Sequence, residues 1–266
     1  MNKYRLRILA NTLIGGRFSN LYGRFRRYVT DIIDGSPITF DINTDIGNSL
    51  FFSGTFEKKE IDLCRRFIKK DSIVLDIGAN IGIHSIHFSR MAEDGLVISF
   101  EPSPETFSVL LRNVRNFANI LPINIGLSNS NSVADFYVAD DNAYSGLKDT
   151  RRKEIKKIVK VFCFTLDEFL MGQNLKSIDF IKIDVEGLEQ NVLEGMVRIT
   201  EKYHPVIFCE IYKGVNSNED PEKTVNYLIG KGYDALVFDG NGLIKYERHS
   251  DRFYNYLFLP RVGRVI

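Results

Sequence analysis

From residue 72 onward, short and nearly uninterrupted apolar runs alternate with segments whose apolar residues recur at helical spacing. The runs at 73–76, 97–101, 121–125, 178–184, 206–210, 235–239 and 256–259 predict strands, and the patterns at 81–91, 104–117, 188–200 and 221–231 predict helices. Strands that read as continuous apolar runs are covered on both faces, so the alternation predicts an α/β fold with a mainly parallel sheet between two helical layers. Ahead of this core, Leu6, Leu9 and Leu13 stand at helical spacing and Gly15-Gly16 supplies a stop, which predicts a short amphipathic helix. Apolar stretches at 38–42 and 50–52, separated by Asn, Asp and Gly, predict two strands joined by a loop, and 57–70 reads as a helix. Between the third and fourth main runs, 133–138 and 158–164 predict an extra hairpin around a loop at about 139–157. The expected organisation is an extension over 1–49 followed by one domain over 50–266 that carries the inserted loop.

A chain of 266 residues with 44% hydrophobic positions can bury enough apolar surface to fold without disulfide staples. Cys64, Cys163 and Cys209 are odd in number and far apart, which supports neither a secreted disulfide framework nor a thiolate zinc site. No apolar run approaches the roughly 18 residues needed to span a bilayer, and the opening residues lack the apolar centre and cleavage site of an export signal. The expected compartment is the cytoplasm. The net charge of +1 conceals a polarised distribution: residues 1–30 hold seven bases and no acid, and 148–160 hold seven bases against two acids. Such segments are either solvated faces or contacts for an anionic partner, such as an anionic or lipid-linked acceptor, with weak touching of an anionic membrane surface by the N-terminal helix.

The strongest local signal is Val74-Leu75-Asp76-Ile77-Gly78-Ala79-Asn80-Ile81-Gly82, a buried strand running into a helix through a glycine turn. Gly78 and Gly82 allow a tight backbone and close approach of a ligand near a helix start. A dinucleotide site would carry G-x-G-x-x-G, whereas here the two glycines are four apart with Asn80 between them, and Asp76 at the strand end opposes a pyrophosphate. An acid there suits a cationic ligand such as the sulfonium and amino-acid part of S-adenosylmethionine. Glu101 ends the next strand and can accept both hydroxyls of a ribose.

Together, Asp76 to Gly82, Phe100-Glu101-Pro102-Ser103-Pro104 and Ile181-Lys182-Ile183-Asp184-Val185-Glu186-Gly187-Leu188-Glu189 resemble the FkbM family of S-adenosylmethionine-dependent methyltransferases. Upstream, Gly54-Thr55-Phe56-Glu57 is similar to a further segment of that family, as is Asn124-Ile125-Gly126-Leu127-Ser128 on the adenine side. The resemblance covers about residues 50–212, and its third motif is the most particular to the family. It implies a Rossmann-like class I methyltransferase fold with a seven-stranded sheet, and methylation of oxygen, often on sugar or polyketide hydroxyls. It implies cofactor contacts at Glu57, at Asp76, Gly78, Asn80 and Gly82, at Glu101, Pro102 and Ser103, at Asn124, Gly126 and Leu127, and at Asp184.

Methyl transfer is an in-line displacement in which holding the acceptor oxygen against the methyl carbon supplies most of the acceleration, and a general base helps a hydroxyl react. Asp184, Glu186 and Glu210 stand at or just beyond predicted strand ends and are the expected catalytic acids. Asp184 and Glu210, at the ends of neighbouring strands, could hold Mg²⁺ or share a proton, and a base role for Glu186 or Asp184 is the favoured reading. Glu189 reads as a helix N-terminal acid, and His84 reads as a packing residue or a border of the ligand site. No P-loop is present. The expected function is therefore O-methylation of a small molecule or glycan, with a nucleic-acid methyltransferase or a nicotinamide-dependent oxidoreductase as alternatives.

Overall fold

A computed structural model describes residues 3–13, 27–212 and 220–261 of the chain. The chain opens with helix α1 (Lys3–Leu13), then a hairpin of strands β1 (Tyr28–Ile33) and β2 (Ser36–Asp41), and helices α2 (Asp45–Ser53) and α3 (Lys58–Cys64). Alternation follows with β3 (Ile73–Ile77), α4 (Ile83–Met91), β4 (Leu96–Phe100), α5 (Pro104–Val114) and β5 (Ile120–Ile123). Next come β6 (Gly126–Leu127), β7 (Ser132–Ala139), β8 (Ile155–Phe164), α6 (Leu166–Phe169) and β9 (Phe180–Ile183). The rest is α7 (Glu189–Glu194), α8 (Val197–Tyr203), β10 (Val206–Glu210), α9 (Pro221–Gly230), β11 (Tyr233–Phe238), β12 (Leu243–Lys245) and β13 (Asn255–Pro260).

The main sheet has the order β12-β11-β13-β10-β9-β3-β4-β5. Strands β10, β9, β3, β4 and β5 are mutually parallel, and β13 runs antiparallel between β10 and β11. The architecture is the Rossmann-like α/β class expected, with eight strands where seven are expected. The extra strand, Leu243–Lys245, is a three-residue edge element with no buried position, so it lacks the apolar run that marks the others. Because side chains alternate across a strand, Val74 and Phe180 join the core on one face of the sheet while Leu75, Ile77, Ile181 and Ile183 join the core on the other. Ile38, Phe40, Ile42 and Leu50, from before the alternating region, pack into the first of these cores. The expected hairpin around the basic loop is present: β7 pairs antiparallel with β8, and β6 adds a third strand.

Three local expectations are corrected. Residues 50–52 are helical rather than extended, because Thr44 caps α2 by accepting from Gly47 N–H and Gly54 closes it in the left-handed region at φ 75°. The strand partner of β2 is β1, and Leu50 and Phe51 reach the core from the helix instead. The helix expected over 188–200 is broken into α7 and α8 at Gly195-Met196, where a Cβ on residue 195 would lie 2.0 Å from the Ser128 carbonyl oxygen. The short N-terminal helix is present, while Gly15-Gly16, its expected stop, and Arg17, Arg24 and Arg26 lie outside the described residues. Among the described residues no helix is long and apolar enough to cross a membrane.

Candidate active site

Parallel pairing aligns the carboxyl ends of β4, β3, β9 and β10 on one edge, with Phe100 opposite Ile77, Ile77 opposite Ile183 and Ile183 opposite Cys209. In open α/β sheets this edge is where ligands bind. Here it opens onto a cavity of about 350 Å³, roofed by the start of α2 and by the loop between β7 and β8.

The glycine turn shapes one wall. Gly78 sits at φ 79°, and a Cβ on it would fall 1.8 Å from the Asp184 carbonyl oxygen, so the turn lies directly against the end of β9. Gly82 at φ 89° lets the start of α4 approach α5, since a Cβ there would meet Leu110 Cδ1 at 2.6 Å. The backbone N–H groups of the turn bond within the protein: Gly78 and Ala79 donate to Phe100 O at 3.0 and 2.9 Å, Asn80 to Glu101 Oε2 at 3.0 Å, and Gly82 to Ala79 O at 2.9 Å. Gly78, Ala79, Asn80 and Gly82 thus spend their amides inside the protein, which makes this part of the turn a close-fitting surface.

Glu101 is buried at the end of β4, where its carboxylate accepts from Asn80 N–H and, at 2.8 Å, from Ser103 N–H. Burial pushes its proton affinity up to about 7 in spite of these donors. A carboxylate has about four acceptor positions, so about two remain toward the cavity. Pro102, Gly126 and Leu127 also line the wall. Ser103 and Asn124 do not line it. Ser103 caps α5, and Asn124 Nδ2 donates to the Glu101 and Pro102 carbonyls at 2.8 and 3.1 Å, bracing the loop from behind.

Asp76 lies deeper than the other expected site residues: its carboxyl group is fully buried and does not line the cavity. It faces Lys182 across β3 and β9 and Ser99 across β3 and β4. Ser85 Oγ donates to its Oδ2 at 2.6 Å, and Ser99 Oγ contacts Ser85 Oγ at 2.8 Å. Lys182 Nζ lies 3.9 Å from Asp76 Oδ1, donates to Asp184 Oδ2 at 3.0 Å and reaches Gly78 O at 3.3 Å. Burial works against this ammonium, yet Asp184, Asp76 and Glu57 hold its proton affinity above the usual lysine value. Lys182 thus compensates Asp76 in the core and holds Asp184 at the cavity edge, a role missed in the sequence although a lysine inside the apolar run Phe180–Ile183 marks an anomalous inward position.

Asp184, Glu57, Glu186 and Glu210 all line the cavity. Burial, then the charge of Asp184, raises the proton affinity of Glu57 and of Glu186 to about 8 in each case. Burial raises Glu210 well above the usual range, helped by Asp184, Glu57 and Glu186. Glu57 and Glu186 both occupy the left-handed region, at φ 46° and 57°, a conformation that non-glycine residues adopt at a cost. Glu189 Oε1 accepts from Val185 and Gly187 N–H at 3.3 and 3.0 Å, so it closes the turn that presents Glu186. His84 Nε2 is buried 3.4 Å from Glu57 Oε2 without a hydrogen bond, and burial together with Lys182 keeps the imidazole neutral.

The roof is tied down by contacts distant in sequence. Tyr144 Oη donates to Asp45 Oδ2 at 2.6 Å, Asp45 N–H donates to Asp141 at 2.7 Å, and Asn142 Nδ2 donates to Asn80 Oδ1 at 2.5 Å. Arg152 Nη1 pairs with Glu186 Oε2 at 2.9 Å. Among the described residues no three His, Cys, Asp or Glu groups are placed to hold one metal ion. Of the pair expected to share Mg²⁺, Asp184 is already held by Lys182 and burial keeps the proton affinity of Glu210 well above the usual range, so the donor set does not fit Mg²⁺.

The chain is similar in sequence to several known methyltransferases. The chain is 29% identical over 164 residues to the hexuronic acid methyltransferase AglP of Haloferax volcanii, covering 61% of this chain and 65% of that one. It is 30% identical over 188 residues to Methyltransferase 1 of Beauveria bassiana, covering 63% and 74%. It is 24% identical over 141 residues to the 2-O-methyltransferase NoeI of Sinorhizobium fredii, covering 48% and 58%. A crystal structure of methyltransferase FkbM from Methylobacillus flagellatus superposes with a TM-score of 0.49 at 16% identity, over 79% of this chain and 46% of that one. The methyltransferase FkbM domain profile matches residues 76–235, and the chain belongs to that family of methyltransferases.

Proposed function

We propose that the protein transfers a methyl group from S-adenosylmethionine to a hydroxyl oxygen of a sugar. The observation that carries the cofactor assignment is Glu101, a buried carboxylate fixed by two backbone N–H groups with about two acceptor positions left to take a ribose diol. Two further features support it. Four amides of the glycine turn are already bonded internally and are not offered to a dinucleotide pyrophosphate, and the acids of the wall favour a cation. Gly78, Asn80 and Glu57 would flank the amino-acid part, and Pro102, Gly126 and Leu127 the adenine. The sugar assignment takes its support from the names of two relatives, a hexuronic acid methyltransferase and a 2-O-methyltransferase.

When bound, S-adenosylmethionine supplies a methyl carbon whose bond to sulfur breaks as the bond to the acceptor oxygen forms, the electron pair returning to sulfur to leave S-adenosylhomocysteine. The protein holds the acceptor in line and receives the hydroxyl proton. Asp184 is held by Lys182, whereas Glu210 lines the cavity with no cation paired to it among the described residues, and it is taken as the base in place of the sequence-based preference for Glu186 or Asp184. A carboxyl with raised proton affinity is a stronger base once ionised, and a sulfonium cation in the cavity favours that ionised form.

Glu210→Gln is expected to lower kcat by on the order of 10²-fold or more while affinity for S-adenosylhomocysteine stays within about threefold. Glu186→Gln should lower kcat less than about tenfold. Initial rates of methyl transfer to a panel of methyl glycosides, with calorimetry on the same proteins, read both numbers. Undiminished turnover in Glu210→Gln removes it as the base, and transfer to none of the sugars removes the sugar assignment.

A further inference from the structure

We infer that Arg152, flanked by the rings of Tyr144 and Tyr212, is the receptor for a carboxylate on the methyl acceptor, which takes the place Glu186 now holds. This rests on reading the cavity as a sugar methyl-transfer site, and it names the class of sugar: one bearing a carboxylate.

Among the described residues the cavity wall has two permanent cations, Lys182 and Arg152. Lys182 is committed to Asp184, Asp76 and the Gly78 carbonyl. Arg152 is not: of its five N–H donors, Nη1 bonds Glu186, and no other hydrogen bond to the described residues is made. Its guanidinium carbon lies 4.3 Å from the centroid of Tyr144 and 5.2 Å from that of Tyr212, so two rings orient the plane of the fork. Both tyrosines line the cavity. The preceding residue, Arg151, is held at φ 54°, a backbone cost that fixes where the loop presents its neighbour.

Glu186 shows that a carboxylate fits this receptor, at 2.9 Å from Nη1. It is also a partner that can be displaced. Burial and Asp184 raise its proton affinity to about 8, so at neutral pH it is a poor anion, whereas a sugar carboxylate ionises in the ordinary carboxylate range. Exchange puts a permanent anion on a permanent cation and adds a second arm of the fork. The other wall carboxyls, Glu57 and Glu210, also have raised proton affinity and give an anion no partner, so the acceptor is oriented with its carboxylate at Arg152 and its hydroxyls toward Glu210.

The test is calorimetric titration of the protein, both free and saturated with S-adenosylhomocysteine, with methyl β-glucuronide, methyl β-glucoside and glucose 6-phosphate. The wild type is expected to bind the glucuronide about tenfold or more tighter than the glucoside, a margin typical of a bidentate charged pair. Arg152→Gln should bring the two sugars within about twofold, and Arg152→Lys, which keeps the charge and loses the fork, should recover only part of the difference. The S-adenosylhomocysteine affinity and unfolding midpoint of Arg152→Gln should match the wild type, which excludes misfolding. Equal binding of the two sugars by the wild type, a preference that survives in Arg152→Gln, or tighter binding of the phosphate than of the glucuronide would each overturn the assignment. Failure of S-adenosylhomocysteine to bind would count against the cofactor reading alone, because the sugar comparison is also made on the free protein.

Discussion

Gly78→Ala is expected to abolish measurable binding of S-adenosylhomocysteine and to destabilise the fold by on the order of 3 kcal/mol. The added Cβ would stand 1.8 Å from the Asp184 carbonyl oxygen, a main-chain atom that cannot rotate away. Asp184 is itself fastened to β3, since its N–H donates to Ile77 O at 3.1 Å and Ile183 pairs with Ile77 one residue earlier. Relief therefore requires the ends of β3 and β9 to separate where both enter the cavity. The φ of 79° adds strain for any residue with a Cβ. Urea unfolding with calorimetry on the same samples checks both effects; wild-type affinity in Gly78→Ala would show that the turn does not touch the cofactor.

Lys182→Met is expected to cost about 3–5 kcal/mol, the usual penalty for removing one partner of a buried ion pair. Asp76 is fully buried, its Oδ1 accepts no hydrogen bond, and the lysine ammonium 3.9 Å away is the charge that compensates it. Without that charge the acid is forced toward its protonated form. The folded-state proton affinity of Asp76 then lies further above its unfolded value, so the destabilisation grows as pH rises above the unfolded carboxylate range and shrinks as pH falls toward it. Lys182→Met with Asp76→Asn should recover much of the stability, because the orphaned charge is gone. The double variant should still bind cofactor poorly, since Asp184 loses its 3.0 Å partner at the cavity edge. Denaturant midpoints of the two variants at pH 5.5 and pH 8 decide the matter, and a single variant equally stable at both pH values would rule out the buried pair.

The apolar runs made the parallel strands legible, and with them the edge where Gly78, Glu101, Asp184 and Glu210 meet, because register follows once four strands are parallel and buried. The depth of a side chain was not legible in the same way. Asp76 and Glu101 both end apolar runs, yet Asp76 lies one residue inside the end of β3 and points into the α4 face, while Glu101 follows the last residue of β4 and meets the cavity. One position along a strand decides between a core ion pair and a ligand site. Residues 50–52 looked extended because phenylalanine favours strands, and the capping threonine six residues earlier decided otherwise. The contacts that close the roof, such as Tyr144 with Asp45 and Arg152 with Glu186, join residues 99 and 34 positions apart in loops with no periodic pattern to align them.

The central claim, that Glu101 anchors S-adenosylmethionine in this cavity, is tested most directly by calorimetric titration of S-adenosylmethionine and NADH into wild type and Glu101→Ala between pH 6 and pH 9. A carboxylate receives a diol, and a cation is attracted, in the ionised state, so affinity should rise with pH through about 7, where Glu101 titrates, and level off above about 8, where Glu57 does. Below that plateau, binding should release protons, seen as a dependence of the heat on buffer. The account predicts micromolar binding of S-adenosylmethionine, loss of at least about tenfold in Glu101→Ala, and no binding of NADH. Undiminished affinity in Glu101→Ala, or binding of NADH alone, would contradict it.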